Sequence, residues 1–234
     1  MNLYEVSGLT KIYGEGNARV VALNGISLTI PENRFVAVIG ASGSGKSTLL
    51  NMLGCMDRPS AGSIKFLGKE MTSFSKKQMT AFRSTNIGFV FQSYNLLPDL
   101  TAIENVELST ELAGGTRQDA SDALAVVGLA ERRDHYPAEL SGGEQQRVSI
   151  ARAIAKKPGV LLCDEPTGAL DFKTGILVLD ALKKIHLERG TAVVLITHNQ
   201  EIARMADLLI TLQSGELQSV SENSTVLLPH ELSW

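Results

Sequence analysis

The chain has 234 residues, 44% of them hydrophobic, and a formal net charge of −3. That much apolar material supports one α/β domain with a substantial core and room for a small appended lobe. The charge excludes a strong field for nucleic acid or an anionic membrane, and no run approaches the ~18–20 apolar residues of a membrane span.

In chain order, the start MNLYEVSGLTKIYG lacks the apolar core and cleavage site of a signal peptide. A chain soluble by itself is expected, with any membrane role supplied by a partner. Leu3–Val6, Val20–Leu23 and Ile26–Ile30 read as short strands, with Asn24-Gly25 as a tight hairpin turn. The apolar run Phe35–Ile39 leads into Gly40-Ala41-Ser42-Gly43-Ser44-Gly45-Lys46-Ser47-Thr48, followed by Leu49–Leu53. The order is strand, glycine-rich loop, helix. It fits the phosphate-loop pattern G-x-x-x-x-G-K-[ST], with Gly40, Gly45, Lys46 and Ser47 at the fixed places. A polyphosphate needs many backbone N–H donors close together, and side chains block that approach. Glycines let the backbone curl around the phosphates, and the following helix offers its positive end. Lys46 reaches the β- and γ-phosphates, and the Ser47 hydroxyl ligates Mg²⁺.

Gly62–Phe66 and Ile87–Phe91 are further strand candidates. From about residue 99 to 156 the composition shifts to Ala, Leu, Glu and Gln, with helical spacing in Ala120–Val127 and Gln145–Lys156. Within this segment lies Leu140-Ser141-Gly142-Gly143-Glu144-Gln145-Gln146-Arg147. A hydroxyl and two glycines ahead of a helix make a second exposed anion-binding helix end. Two such ends are hard to use on one nucleotide within one subunit. A two-fold dimer solves this, each phosphate loop facing the partner's Ser-Gly-Gly end.

Val160–Cys163 and Ala192–Thr197 are nearly all apolar, as in central parallel strands covered on both faces. The first ends in Asp164 and Glu165. An Asp there holds Mg²⁺, usually through water, and Glu165 points where a water attacks the γ-phosphate, as a general base or an orienter. Gly175–Glu188 has helical periodicity between these strands. The tail after Gly215 is polar and reads as irregular. Cys55 and Cys163, in apolar surroundings, read as buried reduced thiols, with no disulfide framework or metal site.

The phosphate loop, LSGGEQQR and LLCDEPTGALD, in this order and spacing, resemble the ATPase subunit of an ATP-binding cassette (ABC) transporter, from about residue 3 to 220. The resemblance implies a P-loop NTPase with a RecA-like α/β core, an N-terminal antiparallel β subdomain and an inserted helical subdomain. Residues 1–234 then form one nucleotide-binding domain, with the helical insertion at about 99–156 and a polar tail at 216–234. ATP and Mg²⁺ are the implied cofactors. Ser42, Gly43, Ser44 and Thr48 join the phosphate site. Tyr13 is similar to the family's adenine-stacking aromatic, although an ordinary strand aromatic reads the same way. Gln92 resembles the glutamine that touches Mg²⁺ and the attacking water; in isolation it is a loop residue. His198 resembles the switch histidine on the γ-phosphate, where an incidental strand-end histidine is the alternative. Asp171 resembles the loop linking the two subunits' sites, or is a helix N-cap. Ser141, Gly142 and Gly143 face the partner's nucleotide. Phe172 and Asn199 depart from the usual pattern, where a small or polar residue and an Asp are commoner.

The string Gln92 to Val106 is similar to the branch with macrolide exporters, lipoprotein-releasing complexes and haem or peptide efflux. In that branch the stretch Tyr94–Val106 docks on a membrane permease, here with Leu96, Leu97, Leu100 and Ile103 as the apolar surface, some of them packing inside the helical lobe instead. The implied function is a Mg-dependent ATPase that powers export by a separate permease. It acts as a homodimer at the cytoplasmic face of the membrane, without nucleic acid. The alternative is a soluble cassette ATPase acting on DNA or ribosomes. A GTPase is disfavoured, since no Asn-Lys-x-Asp string is present.

Overall fold

Successive residues of a strand point to opposite faces of its sheet. The strands β3 (Phe35–Ile39), β7 (Val160–Asp164) and β8 (Ala192–Thr197) are apolar at nearly every position, so they must be covered twice. In the computed structural model, which describes residues 1–233, they are. Phe35, Ala37, Leu161, Cys163, Val193 and Leu195 face one core. Val36, Val38, Val160, Leu162, Val194 and Ile196 face the other.

These strands belong to a six-stranded sheet of order β10-β9-β3-β8-β7-β6, where β6 is Ile87–Phe91, β9 is Leu208–Gln213 and β10 is Glu216–Glu222. All neighbours run parallel except β10 against β9. The second sheet, order β2-β1-β4-β5, is antiparallel: β1 (Asn2–Tyr13), β2 (Val20–Pro31), β4 (Ala61–Phe66) and β5 (Lys69–Glu70). It covers one face of the larger sheet, with α1 (Lys46–Leu53) and α2 (Lys76–Asn86) contributing to that core. The other face carries α5 (Gly142–Ile154) and α6 (Phe172–Arg189), with α3 (Ala102–Leu112) and α4 (Arg117–Val126) packed on α5. A short α7 (Gln200–Ala203) follows β8. The expected α/β core, N-terminal antiparallel sheet and helical insertion are all present.

Two expectations fail. Asn24-Gly25 is not a hairpin turn: β2 runs straight through it. The chain reverses between β1 and β2 at residues 14–19, where Gly14 and Gly16 take positive φ. Asn24-Gly25 is instead a bulge, with Gly25 at φ +65° and a register shift beside it. There Asn24 N donates to Gly215 O at 2.8 Å, tying the small sheet to the β9–β10 turn. A bulge and a turn ask for the same residues, so residue type alone does not separate them.

The tail is also not irregular. Residues 216–222 form β10, an edge strand exposed along most of its length, so it carries no apolar alternation to read. Beyond it, Asn223 Nδ2 donates to Ala203 O and Ala206 O, Leu227 N donates to Arg204 O, and Leu232 enters the α6-side core at 4% exposure. Residue 234 lies outside the described residues.

Leu232 tests whether the tail is structural. Leu232→Ala is expected to lower the unfolding free energy by about 2 kcal/mol, read by urea denaturation of the full chain. A change under about 0.5 kcal/mol would show that the tail contributes nothing to the core.

Candidate nucleotide site

Parallel strands in register deliver their C-terminal ends to one edge. Ile39 pairs with Thr197, Ile196 with Asp164, and Asp164 with Phe91. The segments leaving β3, β8, β7 and β6 therefore emerge side by side, and they carry the phosphate loop, His198, Glu165 and Gln92. This is the edge where ligands bind in open α/β sheets.

The loop between β3 and α1 is held by its own backbone. Gly45, the N-cap of α1, sits at φ +97°, and a Cβ there would meet Ala22 O at 2.6 Å. Gly40, at φ +156°, would drive a Cβ into the Leu212 carbonyl. Both positions accept only glycine. Lys46 is 6% exposed, and its Nζ donates to Gly40 O at 2.8 Å and Ala41 O at 2.9 Å. Ser44 Oγ is buried with no hydrogen-bond partner, a spare hydroxyl inside the loop. One open groove of about 360 Å³ is lined by Tyr13, Val20, Ser42, Lys46, Thr48 and Glu165, among others.

Ser47 Oγ donates to Asp164 Oδ1 at 3.2 Å. Burial, with the neighbouring Glu165 charge, pushes the Asp164 carboxyl above its ordinary value; Ser47 and Lys46 oppose this. Among the described residues no cluster of three or more His, Cys, Asp or Glu forms a closed metal cage. A hydroxyl beside a single carboxylate is a hard, open oxygen set. It suits Mg²⁺, which keeps waters and shares substrate phosphates.

Glu165 takes φ +46°, uncommon for a residue with a side chain, and its N–H is held by Ile196 O at 3.0 Å. His198 Nδ1 lies 3.1 Å from Glu165 Oε1. Gln92 and Glu165 converge over Gly168, where an added Cβ would meet Gln92 Nε2 at 2.8 Å and Glu165 Oε2 at 3.3 Å. At the groove's far end, Tyr13 donates its hydroxyl to Asp57 Oδ2 at 3.0 Å, and the Lys11 ammonium sits 4.7 Å from the Tyr13 ring centroid. The ring is exposed and oriented from one side, which leaves a face for stacking.

Ser141, Gly142, Gly143 and Asp171 do not line this groove. They form a second locus. Ser141 caps α5, and Asp171 caps α6 by accepting Thr174 N at 3.1 Å. Gly143 packs so closely on Thr174 that a side chain has no space, and Gly142 faces Tyr94 and Leu170.

The chain matches the family described as ABC transporter over residues 23–168. The chain belongs to the ABC transporter family. It is similar to the lipoprotein-releasing system ATP-binding protein LolD of Geobacter metallireducens, 47% identical across 92% of this chain and 98% of that protein. It is 45% identical to the macrolide export ATP-binding/permease protein MacB of Azoarcus sp. across 92% of this chain, but spans only 33% of that longer protein. Among solved structures, a bacterial ABC transporter cassette seen as a dimer superposes with a TM-score of 0.86 at 40% identity, covering 94% of this chain and 98% of that one. The same cassette in a post-hydrolysis state bound to ADP and Pi matches equally well. The chain is thus an ABC ATPase cassette, an enzyme that binds and hydrolyses ATP. No helix among the described residues is long and apolar enough to cross a membrane.

The cassette corrects part of the docking surface read from sequence. Ile103 is buried at 2% and Leu96 packs on the core, while Leu97 is 45% exposed. Leu108 and Leu112 of α3, unnoticed in the sequence, are the other exposed leucines there. Buried Asn105 fixes the loop: its Oδ1 accepts Leu97 N at 2.7 Å and its Nδ2 donates to Leu97 O, Leu100 O and Thr101 O. Arg152 donates to Tyr94 O at 2.9 Å and also binds Asn95 O. Gln146, fully buried in α5, donates to Phe91 O at 3.1 Å and Pro166 O at 2.8 Å. Its place inside the LSGGEQQR string marked it, but its role became readable only from these contacts.

A raised carboxyl pKa makes a charge costly to the fold. The native state holds the Asp164 proton longer than the unfolded chain does. Asp164 therefore removes stability as pH rises above the ordinary value of 3.8, and the deficit persists at neutral pH. Asp164→Asn is expected to raise the melting temperature of the nucleotide-free cassette at pH 7 by about 1–3 °C. The difference from wild type should shrink below about pH 4. Melting curves across pH check this; a lower melting temperature at pH 7 would contradict it.

Proposed function

We propose that this cassette powers export by a separate membrane permease, hydrolysing ATP at two equivalent sites shared between two copies. The supporting observation is the separation of the loci. Lys46, Ser47, Asp164, Glu165, His198 and Gln92 converge on one edge, while the exposed helix end at Ser141 stands outside the groove. A two-fold pairing gives each phosphate loop the other copy's Ser141, Gly142 and Gly143. The likeness to a cassette solved as a dimer supports this arrangement.

Tyr13 stacks on adenine. The N–H groups of Gly40 to Thr48, with the Ser42 and Ser44 hydroxyls, hold the phosphates, and Lys46 exchanges its own loop carbonyls for phosphate oxygens. Ser47, Asp164 and the Gln92 amide oxygen are this chain's donors to Mg²⁺, which when bound supplies charge neutralisation on the β- and γ-phosphate oxygens. Glu165 accepts the proton of the attacking water, and His198, its Nδ1 3.1 Å from Glu165 Oε1, orients the carboxylate and meets the γ-phosphate. Asp171, at the start of α6, carries the link between the two sites, beside Phe172. Asn199 keeps a capping role, its Oδ1 accepting Glu201 N at 2.9 Å, so the usual Asp is not needed for the turn.

The cassette lies at the cytoplasmic face of the membrane, held there by the permease. Tyr94–Val106 is the docking segment, with Leu97 its exposed apolar contact and Leu108 and Leu112 extending it. LolD's name ties that relative to lipoprotein release and MacB's to macrolide export. An extruded amphiphile handled by the permease is the cargo class this favours. Action on DNA or ribosomes is not favoured: the chain is acidic overall.

Glu165→Gln is expected to lower kcat about 100-fold or more while leaving ATP binding intact, and to trap an ATP-bound dimer on gel filtration. Near-normal turnover would refute the assignment of the base. Ser141→Arg should abolish both turnover and ATP-dependent dimerisation without changing the affinity of a single copy for ATP. A dimer that still forms would refute the shared site.

A further inference from the structure

The Ser141 end of α5 already holds an anion, and it is the chain's own. The Ser141 hydroxyl donates to Glu144 Oε2 at 2.8 Å, and the Ser141 amide donates to the same oxygen at 2.9 Å. In return Ser141 Oγ accepts Glu144 N at 3.3 Å, which closes a capping box. The other carboxylate oxygen, Oε1, pairs with Arg132 Nε at 3.2 Å, and Arg132 in turn meets His135 Nε2 at 3.2 Å. The hydrogen bonds from Ser141, then the Arg132 and Arg147 charges, hold the Glu144 carboxyl below its ordinary range. It is an anion at neutral pH.

A serine hydroxyl has one proton to donate. Here that proton goes to Glu144. A γ-phosphate oxygen is also an acceptor and needs the same proton. It also seeks the same positive helix end that Glu144 occupies. Equivalent boxes cap α3 through Thr101 and Glu104 and α4 through Thr116 and Asp119. Only at α5 is the capping hydroxyl also a donor assigned to the nucleotide.

We propose that Glu144 is a positioning residue that opposes closure of the two-copy site by occupying Ser141, and that Arg132 takes up its carboxylate when the other copy's triphosphate arrives. This rests on the reading that Ser141 meets the γ-phosphate of a second copy. A diphosphate, lacking the terminal group, does not displace the latch, so Glu144 sharpens the dimer's requirement for a triphosphate. Glu144 does not touch the nucleotide; it acts through Ser141.

The test measures ATP-dependent dimerisation of the full chain in a Glu165→Gln background by analytical ultracentrifugation. Glu144→Gln keeps an acceptor oxygen for the Ser141 amide but removes the charge. It is expected to tighten the dimer about fivefold, and the gain should fall by half or more in about 0.5 M salt. Arg132→Ala strips the carboxylate of its counter-ion and should loosen the dimer about as much, with most of that effect gone when Glu144→Gln is also present. ATP affinity of the single copy stays unchanged in every variant. A dimer that is no tighter in Glu144→Gln, or a gain indifferent to salt, overturns the latch and leaves Glu144 as a helix cap. Ser141→Arg tells the two failures apart. If it still dimerises, the shared-site reading fails; if it does not while Glu144→Gln is neutral, only the latch fails.

Discussion

The register of four parallel strands is the constraint on which the site depends. Neighbouring strands lie about 4.8 Å apart, so β3, β8, β7 and β6 spread their ends over about 14 Å, the scale of a triphosphate with an attacking water. Gln92, Glu165 and His198, to which the proposal gives the catalytic roles, are each the first residue past one of those ends. A slip of one residue in β7 would turn Cys163 into the groove and Asp164 into the core, because strand side chains alternate. The apolar residues on both faces of these strands prevent that slip. The two cores thus do more than stabilise: they set the positions of Asp164 and Glu165 against the phosphate loop.

Several polar groups at the site already have an internal partner. Lys46 binds its own loop carbonyls, Ser47 binds Asp164, His198 binds Glu165, and Ser141 binds Glu144. Lys46 is the buried donor among them, and a buried donor without a partner costs about 1–3 kcal/mol, so the nucleotide-free loop needs its carbonyl contacts to keep its shape. Binding a polyphosphate is then an exchange of partners, and its net free energy is a difference between two satisfied states. Two groups are left uncompensated in that state, the raised Asp164 carboxyl and the Ser44 hydroxyl, and both lie where phosphate and metal are assigned. Backbone strain falls in the same place: Glu165 holds a positive φ with a full side chain, a conformation sustained by the Ile196 carbonyl on its N–H.

What could be read from sequence was what chemistry fixes locally. A glycine-rich loop after an apolar strand, two carboxylates ending another and a serine ahead of two glycines each carry their purpose in residue type. The central strands were legible because covering on both faces leaves continuous apolar runs. Elements with one thin buried stripe were not. In α2 only Met79 and Phe82 are buried, and β10 shows almost no inward face. Asn24-Gly25 misled because local preference cannot distinguish a bulge from a turn; the partner that decides it, Gly215, is nearly two hundred residues away. Ile103 looked like docking surface for a similar reason. Only the α3–α5 packing shows that it points inward while Leu108 and Leu112 point out.

Gln146 shows why the second helix end cannot be independent of the first site in its own copy. Its amide spans from α5 to Phe91 O, one residue before Gln92, and to Pro166 O, one residue after Glu165. It is wholly buried, and its own carbonyl oxygen has no partner. No water can therefore replace it cheaply if α5 shifts. Arg152, further along the same helix, grips the loop at Tyr94 and Asn95 that leads to the proposed permease contact. One rigid helix thus begins at the residue assigned to the other copy's nucleotide. It passes the carbonyls beside Gln92 and Glu165 and ends against the docking loop. A displacement at Ser141 has to move all three or break buried hydrogen bonds. A packed helix that must shift as a unit is how a small change at a phosphate becomes a movement at a distant surface.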